Sequence, residues 1–177
     1  MIRTRPRKTV KDYMALPTEN GVELIQGEFV MSPSPQADHQ KIVVALCVAL
    51  KTQICGGELL VSPMDVILAD DTVVQPDLLY VGPDRLAIIK ERVAGAPDLV
   101  IEILSPSTRD RDRLVRTGLY ARFGVREYWL VDPDTRTIQV LTLEGSRYKV
   151  LAIFEERDRL STPVFPELKL DLSVVWR

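Results

Sequence analysis

The sequence predicts a fold that mixes helices and strands, α/β in the broad sense and α+β in detail. Three observations predict it. Short apolar runs rich in β-branched residues recur between Pro, Gly and Ser, as buried strands do. Two longer stretches, about 36–55 and 110–123, place apolar residues at helical spacing. No repeat and no linker interrupts them, so the 177 residues, 46% hydrophobic, read as one domain spanning 1–177 with a real core.

The elements follow in order. Thr9 with Asp12 three residues on resembles a capping box, with Asp in place of Glu or Gln, and a short helix should run to Leu16 before Pro17. Val22 to Ile25 and Glu28 to Met31 read as a hairpin around Gln26-Gly27. Ser32-Pro33-Ser34-Pro35 is a stiff connector. The helix over 36–55 is apolar almost all round from Ile42 to Leu50 and should be buried, with Gly56-Gly57 ending it. Strands are expected at about 58–62, 65–69, 73–81 and 98–104, with Asp70-Asp71 as a turn. Residues 84–92 read as a short helix or a loop. Val115, Leu119 and Phe123 mark one side of the second helix, the arginines mark another, and Gly124 is its C-cap. Glu127 to Val131 is a strand, with Tyr128 and Trp129 as core residues. Segments 137–143 and 147–154 form a hairpin around Glu144-Gly145-Ser146, and the apolar tail to Trp176 should pack, on a neighbouring subunit by expectation.

Composition excludes several classes. No run approaches the roughly 18 apolar residues of a membrane span. The basic start, Met1 to Lys11, lacks the apolar segment of a secretory signal, so the cytoplasm is the expected compartment. Cys47 and Cys55 lie in the expected helix, about 12 Å apart at ~1.5 Å per residue, too far to bridge. One His and no Cys-x-x-Cys argue against structural zinc. A net charge of −2 argues against coating nucleic acid by bulk electrostatics. Two local basic clusters remain: Arg3, Arg5, Arg7, Lys8 and Lys11, and Arg109, Arg111, Arg113 and Arg116. Each is either a solvated face or a phosphate-contacting surface.

The candidate chemistry lies in two apolar runs that each carry an acid: Val73-Val74-Gln75-Pro76-Asp77-Leu78-Leu79-Tyr80-Val81 and Pro97-Asp98-Leu99-Val100-Ile101-Glu102-Ile103-Leu104. A buried charge is costly unless paired or bound to a metal. A divalent cation shared by Asp77 and Glu102, Mg²⁺ or Mn²⁺, explains both acids. A strand-end cap or an arginine partner is the plainer reading of Asp77. Asp65 is a metal neighbour or a turn or salt-bridge residue. His39 is a structural histidine or a phosphate or water contact near the acids. Arg116, four residues after Asp112, has an i,i+4 ion pair as its plain account.

The segment from Pro97 to Thr108, then Leu119-Tyr120-Ala121-Arg122-Phe123-Gly124-Val125-Arg126-Glu127-Tyr128-Trp129-Leu130-Val131-Asp132-Pro133, resembles the Uma2 family, also called DUF820. Tyr13 to Pro17, Glu23 to Glu28, Ser62 to Val66 and Gln75 to Leu78 match as well, so the resemblance covers nearly the whole chain. It implies the Pro-Asp-(Asp/Glu)-x-Lys nuclease superfamily. The implied fold is a restriction-endonuclease-like mixed β-sheet flanked by helices, with an extra N-terminal hairpin and C-terminal strands and a nuclease core at about 36–132. The implied catalytic set is Glu23, Asp77, Glu102 and the cation at Arg116, with Asp77 and Glu102 as metal ligands. The motif's own lysine position is Leu104, and the migrated lysine expected on the following helix is here Arg116. His39, Arg109 and Arg113 are the candidate nucleic-acid contacts. The expected protein is a Mg²⁺- or Mn²⁺-dependent DNA endonuclease and a homo-oligomer, dimer or higher. The alternative is a catalytically degenerate nucleic-acid-binding or interaction protein of the same fold.

Overall fold

The computed structural model describes residues 6–17, 21–32, 34–105 and 109–176, with the side chains of 109–113 outside that description. Helix α1 (Val10–Met14) opens with the expected capping box: Thr9 N–H donates to Asp12 Oδ2 at 2.9 Å and Asp12 N–H to Thr9 Oγ1 at 3.4 Å. Strands β1 (Val22–Ile25) and β2 (Glu28–Met31) form the expected hairpin, turned by Gln26 at φ 52° and Gly27 at φ 82°. A Cβ at Gly27 would also sit 2.7 Å from Arg7 Cβ, so glycine is required there twice over. Helix α2 (Ala37–Lys51) is shorter than expected at both ends, which places Cys55 beyond it.

Strands β3 (Glu58–Val61), β4 (Val66–Ala69), β5 (Thr72–Val74) and β6 (Leu78–Val81) follow. A 3-10 turn over Pro83–Ile88 leads to β7 (Val93–Ala94) and β8 (Leu99–Ile103). Then come α3 (Arg109–Phe123), β9 (Glu127–Asp132), β10 (Thr137–Glu144) and β11 (Arg147–Phe154). Short strands β12 (Arg159–Leu160) and β13 (Leu170–Asp171) end the chain with a 3-10 turn over Leu172–Val174.

Two mixed sheets result. One runs β11-β10-β9-β8-β6-β3, the other β2-β1-β5-β4-β7. Only β8 with β9, and β4 with β7, are parallel among these pairs; α3 is the crossover that β8 and β9 require. The six-stranded sheet buries both faces. Leu99, Ile101 and Ile103 of β8 join Trp129, Val131, Ile42, Leu46 and Leu50 on the α2 side. Val100 and Leu104 join Tyr128, Leu130, Leu119 and Tyr120 on the α3 side, together with Val66, Val74 and Val93 of the second sheet. Strand alternation therefore sends Glu102 toward α3.

Three expectations change. The run from Val73 to Val81 is two strands in different sheets. Gln75, Pro76 and Asp77 carry the chain between them, because Pro76 has no N–H to offer a ladder and the Gln75 N–H is taken by Glu23. Helix α2 is not wholly buried: Val44 and Val48 face outward at 59% and 58% exposure, since the sheet covers only one side of it. The tail packs within the chain, with Leu160, Phe165, Leu168, Leu170, Leu172 and Val175 closing the α2 side of the core.

Candidate active site

Four elements converge on one partly buried cluster. Glu23 of β1 is 1% exposed, because β1 lies between β2 and β5 and is covered on both faces, with Leu24 buried on the opposite one. Glu102 of β8 and Arg116 of α3 are each 8% exposed. The Arg116 fork grips Glu23 through Nη1 to Oε1 at 3.1 Å and Nη2 to Oε2 at 2.7 Å. The same Nη1 donates to Glu102 Oε1 at 2.9 Å. Such bidentate, charge-assisted contacts favour Arg over Lys.

Asp77 stands at the end of the crossing segment before β6. Its Oδ2 accepts the Ile103 N–H at 2.7 Å and lies 3.1 Å from His39 Nε2, which sits on the first turns of α2. An ionised Asp77 makes that nitrogen the donor. Asp77 thus ties the chain before β6 to the end of β8, the strand-end role the plainer reading gave it. His39 touches an acid directly.

Two residues of the cluster were not singled out from the sequence as site residues. Tyr120 O–H donates to Glu102 Oε1 at 2.7 Å. Its signal was present: a tyrosine four residues after Arg116 shares that residue's helix face, and a buried tyrosine hydroxyl wants a partner. Gln75 donates its main-chain N–H to Glu23 Oε1 at 2.7 Å and its side-chain amide to Asp65 Oδ1 at 2.8 Å. Asp65 also accepts from Tyr13 O–H and Arg92 Nε, each at 2.9 Å, so it is a salt-bridge residue that braces the crossing segment. Leu104 is buried where the motif lysine would stand. The side chains of Arg109, Arg113 and Asp112 lie outside the described residues, and the Asp112 pairing expected for Arg116 lies there too.

Burial pushes the Glu102 carboxyl up to about 8. The Arg116 charge opposes that rise, and Asp77 and Glu23 add to it. Burial also works against charge on Arg116, but Glu102, Tyr120 and Glu23 outweigh it and keep the guanidinium protonated. Tyr120 is raised by burial and then by Glu102, so it keeps its proton and stays a donor. When Glu102 ionises, three carboxylates face one guanidinium, an excess of negative charge.

That excess, and the way the oxygens are committed, fit a divalent cation. Asp77 and Glu102 each have one oxygen held by two donors. Among the described residues Asp77 Oδ1 and Glu102 Oε2 carry no hydrogen bond. Carboxylate oxygens suit a hard cation such as Mg²⁺, which one or two carboxylates hold while water and substrate complete the shell. Among the described residues no group of three or more His, Cys, Asp or Glu side chains is placed to hold a metal ion, so the protein ligands here are two.

The architecture is that of a nuclease. A solved structure described as "a putative nuclease belonging to DUF820" from Anabaena variabilis is similar at 25% identity, covering 95% of this chain and 97% of that one with a TM-score of 0.73. The chain belongs to the Uma2 family, described as "putative restriction endonuclease", whose family model matches residues 10–173. Comparison with curated proteins finds no match. Among the described residues no helix is long and apolar enough to cross a membrane.

Proposed function

We propose that this chain is a divalent-metal-dependent endonuclease that hydrolyses phosphodiester bonds of DNA, with Asp77 and Glu102 holding Mg²⁺ or Mn²⁺. The observation that carries the reading is that two acids, Asp77 just before β6 and Glu102 of β8, each keep one uncommitted oxygen in one partly buried cluster. When bound, the cation supplies Lewis acidity toward the phosphate and the attacking water. The chain's own groups prepare that site. The Ile103 amide and His39 fix Asp77. Tyr120 and Arg116 fix Glu102, and the Arg116 charge favours its ionised form. Glu23, itself held by the Gln75 amide, fixes Arg116. Arg116 thus acts through Glu102, and its positive charge beside the acids stabilises charge developing on phosphate. Arg109 and Arg113, at the start of α3, follow the Glu102 strand in sequence and contact the DNA backbone. Cutting both strands takes two sites, and a symmetric dimer or higher homo-oligomer supplies them. Two free cysteines support a reducing compartment, the cytoplasm.

A second reading is favoured by one observation. Both η nitrogens of Arg116 are committed to glutamates. In this reading Arg116 is a structural brace, and the chain is a catalytically degenerate nucleic-acid-binding or interaction protein of the same fold. Incubation of the purified protein with plasmid, single-stranded DNA and RNA, with Mg²⁺, Mn²⁺ or EDTA, separates the two. Nicking that EDTA and Asp77→Asn both abolish is expected. Metal binding without cleavage of any substrate selects the second reading, and absence of metal binding overturns the first.

A further inference from the structure

The committed and uncommitted oxygens of the cluster limit how many ions it can hold. We infer that the site takes one divalent cation per chain, and that the Arg116 guanidinium occupies the place a second cation would need. This rests on the metal-binding reading of Asp77 and Glu102 and goes beyond it.

A carboxylate oxygen offers two lone-pair positions. Asp77 Oδ2 is filled by the Ile103 amide at 2.7 Å and His39 Nε2 at 3.1 Å. Glu102 Oε1 is filled by Arg116 Nη1 at 2.9 Å and Tyr120 O–H at 2.7 Å. Glu23 Oε1 is filled by the Gln75 amide at 2.7 Å and Arg116 Nη1 at 3.1 Å. Glu23 Oε2 takes Arg116 Nη2 at 2.7 Å, and a residue only 1% exposed gives an ion no path to what remains. One oxygen of Asp77 and one of Glu102 are left. A two-metal site sets its ions about 3.5–4 Å apart and clamps both. The two uncommitted oxygens serve one ion, and the Glu23 and Glu102 oxygens that would face a second are the ones Arg116 holds.

Arg116 makes the contacts such a bridging ion would make. A single nitrogen, Nη1, lies within hydrogen-bond distance of Glu23 and Glu102 at once. Charge agrees with this count. One guanidinium and one divalent cation together balance Glu23, Asp77 and Glu102, whereas a second divalent ion would leave the pocket strongly positive. A buried cluster tolerates that imbalance poorly.

The test counts Mn²⁺ bound to the full chain, by calorimetry and by the electron paramagnetic resonance signal of free and bound Mn²⁺. Wild type is expected to bind one ion with an uncoupled spectrum. Arg116→Ala releases Glu23 Oε2, one of the two positions on Glu23 Oε1 and one on Glu102 Oε1, and is expected to bind two ions whose spins couple. Arg116→Gln keeps much of the side-chain volume without the charge and gives the same expectation should the alanine variant fold poorly. Tyr120→Phe, which leaves Arg116 in place, should still bind one. Two coupled ions in wild type would overturn the inference while leaving Asp77 and Glu102 as ligands. One ion in wild type and in both folded Arg116 variants would overturn the role given to Arg116. No ion in wild type would remove the metal-binding reading itself.

Discussion

Replacing Glu102 by Gln should change how stability depends on pH, and the structure sets the sign. In the metal-free protein the carboxyl titrates near 8, against 4.5 as its ordinary value. Below pH 4.5 it is neutral in folded and unfolded chains alike and burial costs it little. Between those values the folded chain holds a proton that the unfolded chain has released, so stability falls as pH rises. One proton corresponds to about 1.4 kcal/mol per pH unit, and the full span to about 5 kcal/mol as an upper figure. Glu102→Gln keeps an oxygen to accept from Tyr120 and Arg116, and Arg116 keeps its fork on Glu23. The variant removes the titration while preserving most contacts. Urea unfolding in EDTA, at steps from pH 5 to 9, measures the difference. Wild-type stability minus variant stability should decline by about 1 kcal/mol per unit between pH 5.5 and 7.5 and level off above 8. Saturating Mn²⁺ at about 100 times its Kd should restore about 2.7 kcal/mol to wild type and much less to the variant. Parallel curves for the two proteins in EDTA would refute the reasoning, because Glu102 would then ionise as freely when folded as when unfolded.

The remaining predictions are narrower. Arg116→Ala leaves Glu23 and Glu102 buried without their cation and should cost about 3–5 kcal/mol in urea unfolding, not the ~0.3–0.5 of an exposed helical ion pair. The same variant should lower any plasmid-cleavage rate by about 10²-fold or more, while Arg116→Lys should retain cleavage, as initial rates will show. Arg113→Ala should reduce the slope of log affinity against log salt by about 1 in a DNA-binding titration; an unchanged slope would take Arg113 off the phosphates. Thr9→Ala removes the α1 cap and should cost about 1 kcal/mol in thermal unfolding without altering metal affinity.

Much of the architecture was legible because it is written in local patterns. The β1–β2 hairpin, the β10–β11 hairpin, the Thr9–Asp12 box and both long helices rest on spacing within a few residues, and they form close to where the spacing places them. The unusual status of Asp77 and Glu102 was legible too, since an acid inside a β-branched apolar run has few cheap fates. The run through Asp77 misled on one point. Apolar composition reports burial but not which sheet does the burying, so Val73 and Leu78 looked like one strand until Pro76 broke the ladder between two.

What the sequence by itself determined, then, is which residues must be inside and which of them are charged. What only the tertiary structure decided is which of those charges meet. The fork of Arg116 closes on Glu23, 93 residues away, and on Glu102 of the strand before it, partners that no local spacing indicates. The tail could have covered a neighbouring subunit but lies on its own α2-side core. Periodicity constrains a side chain's direction relative to its own element. Its partner depends on how the two sheets and α3 dock, and docking is settled by the sum of many buried apolar contacts far apart in the chain.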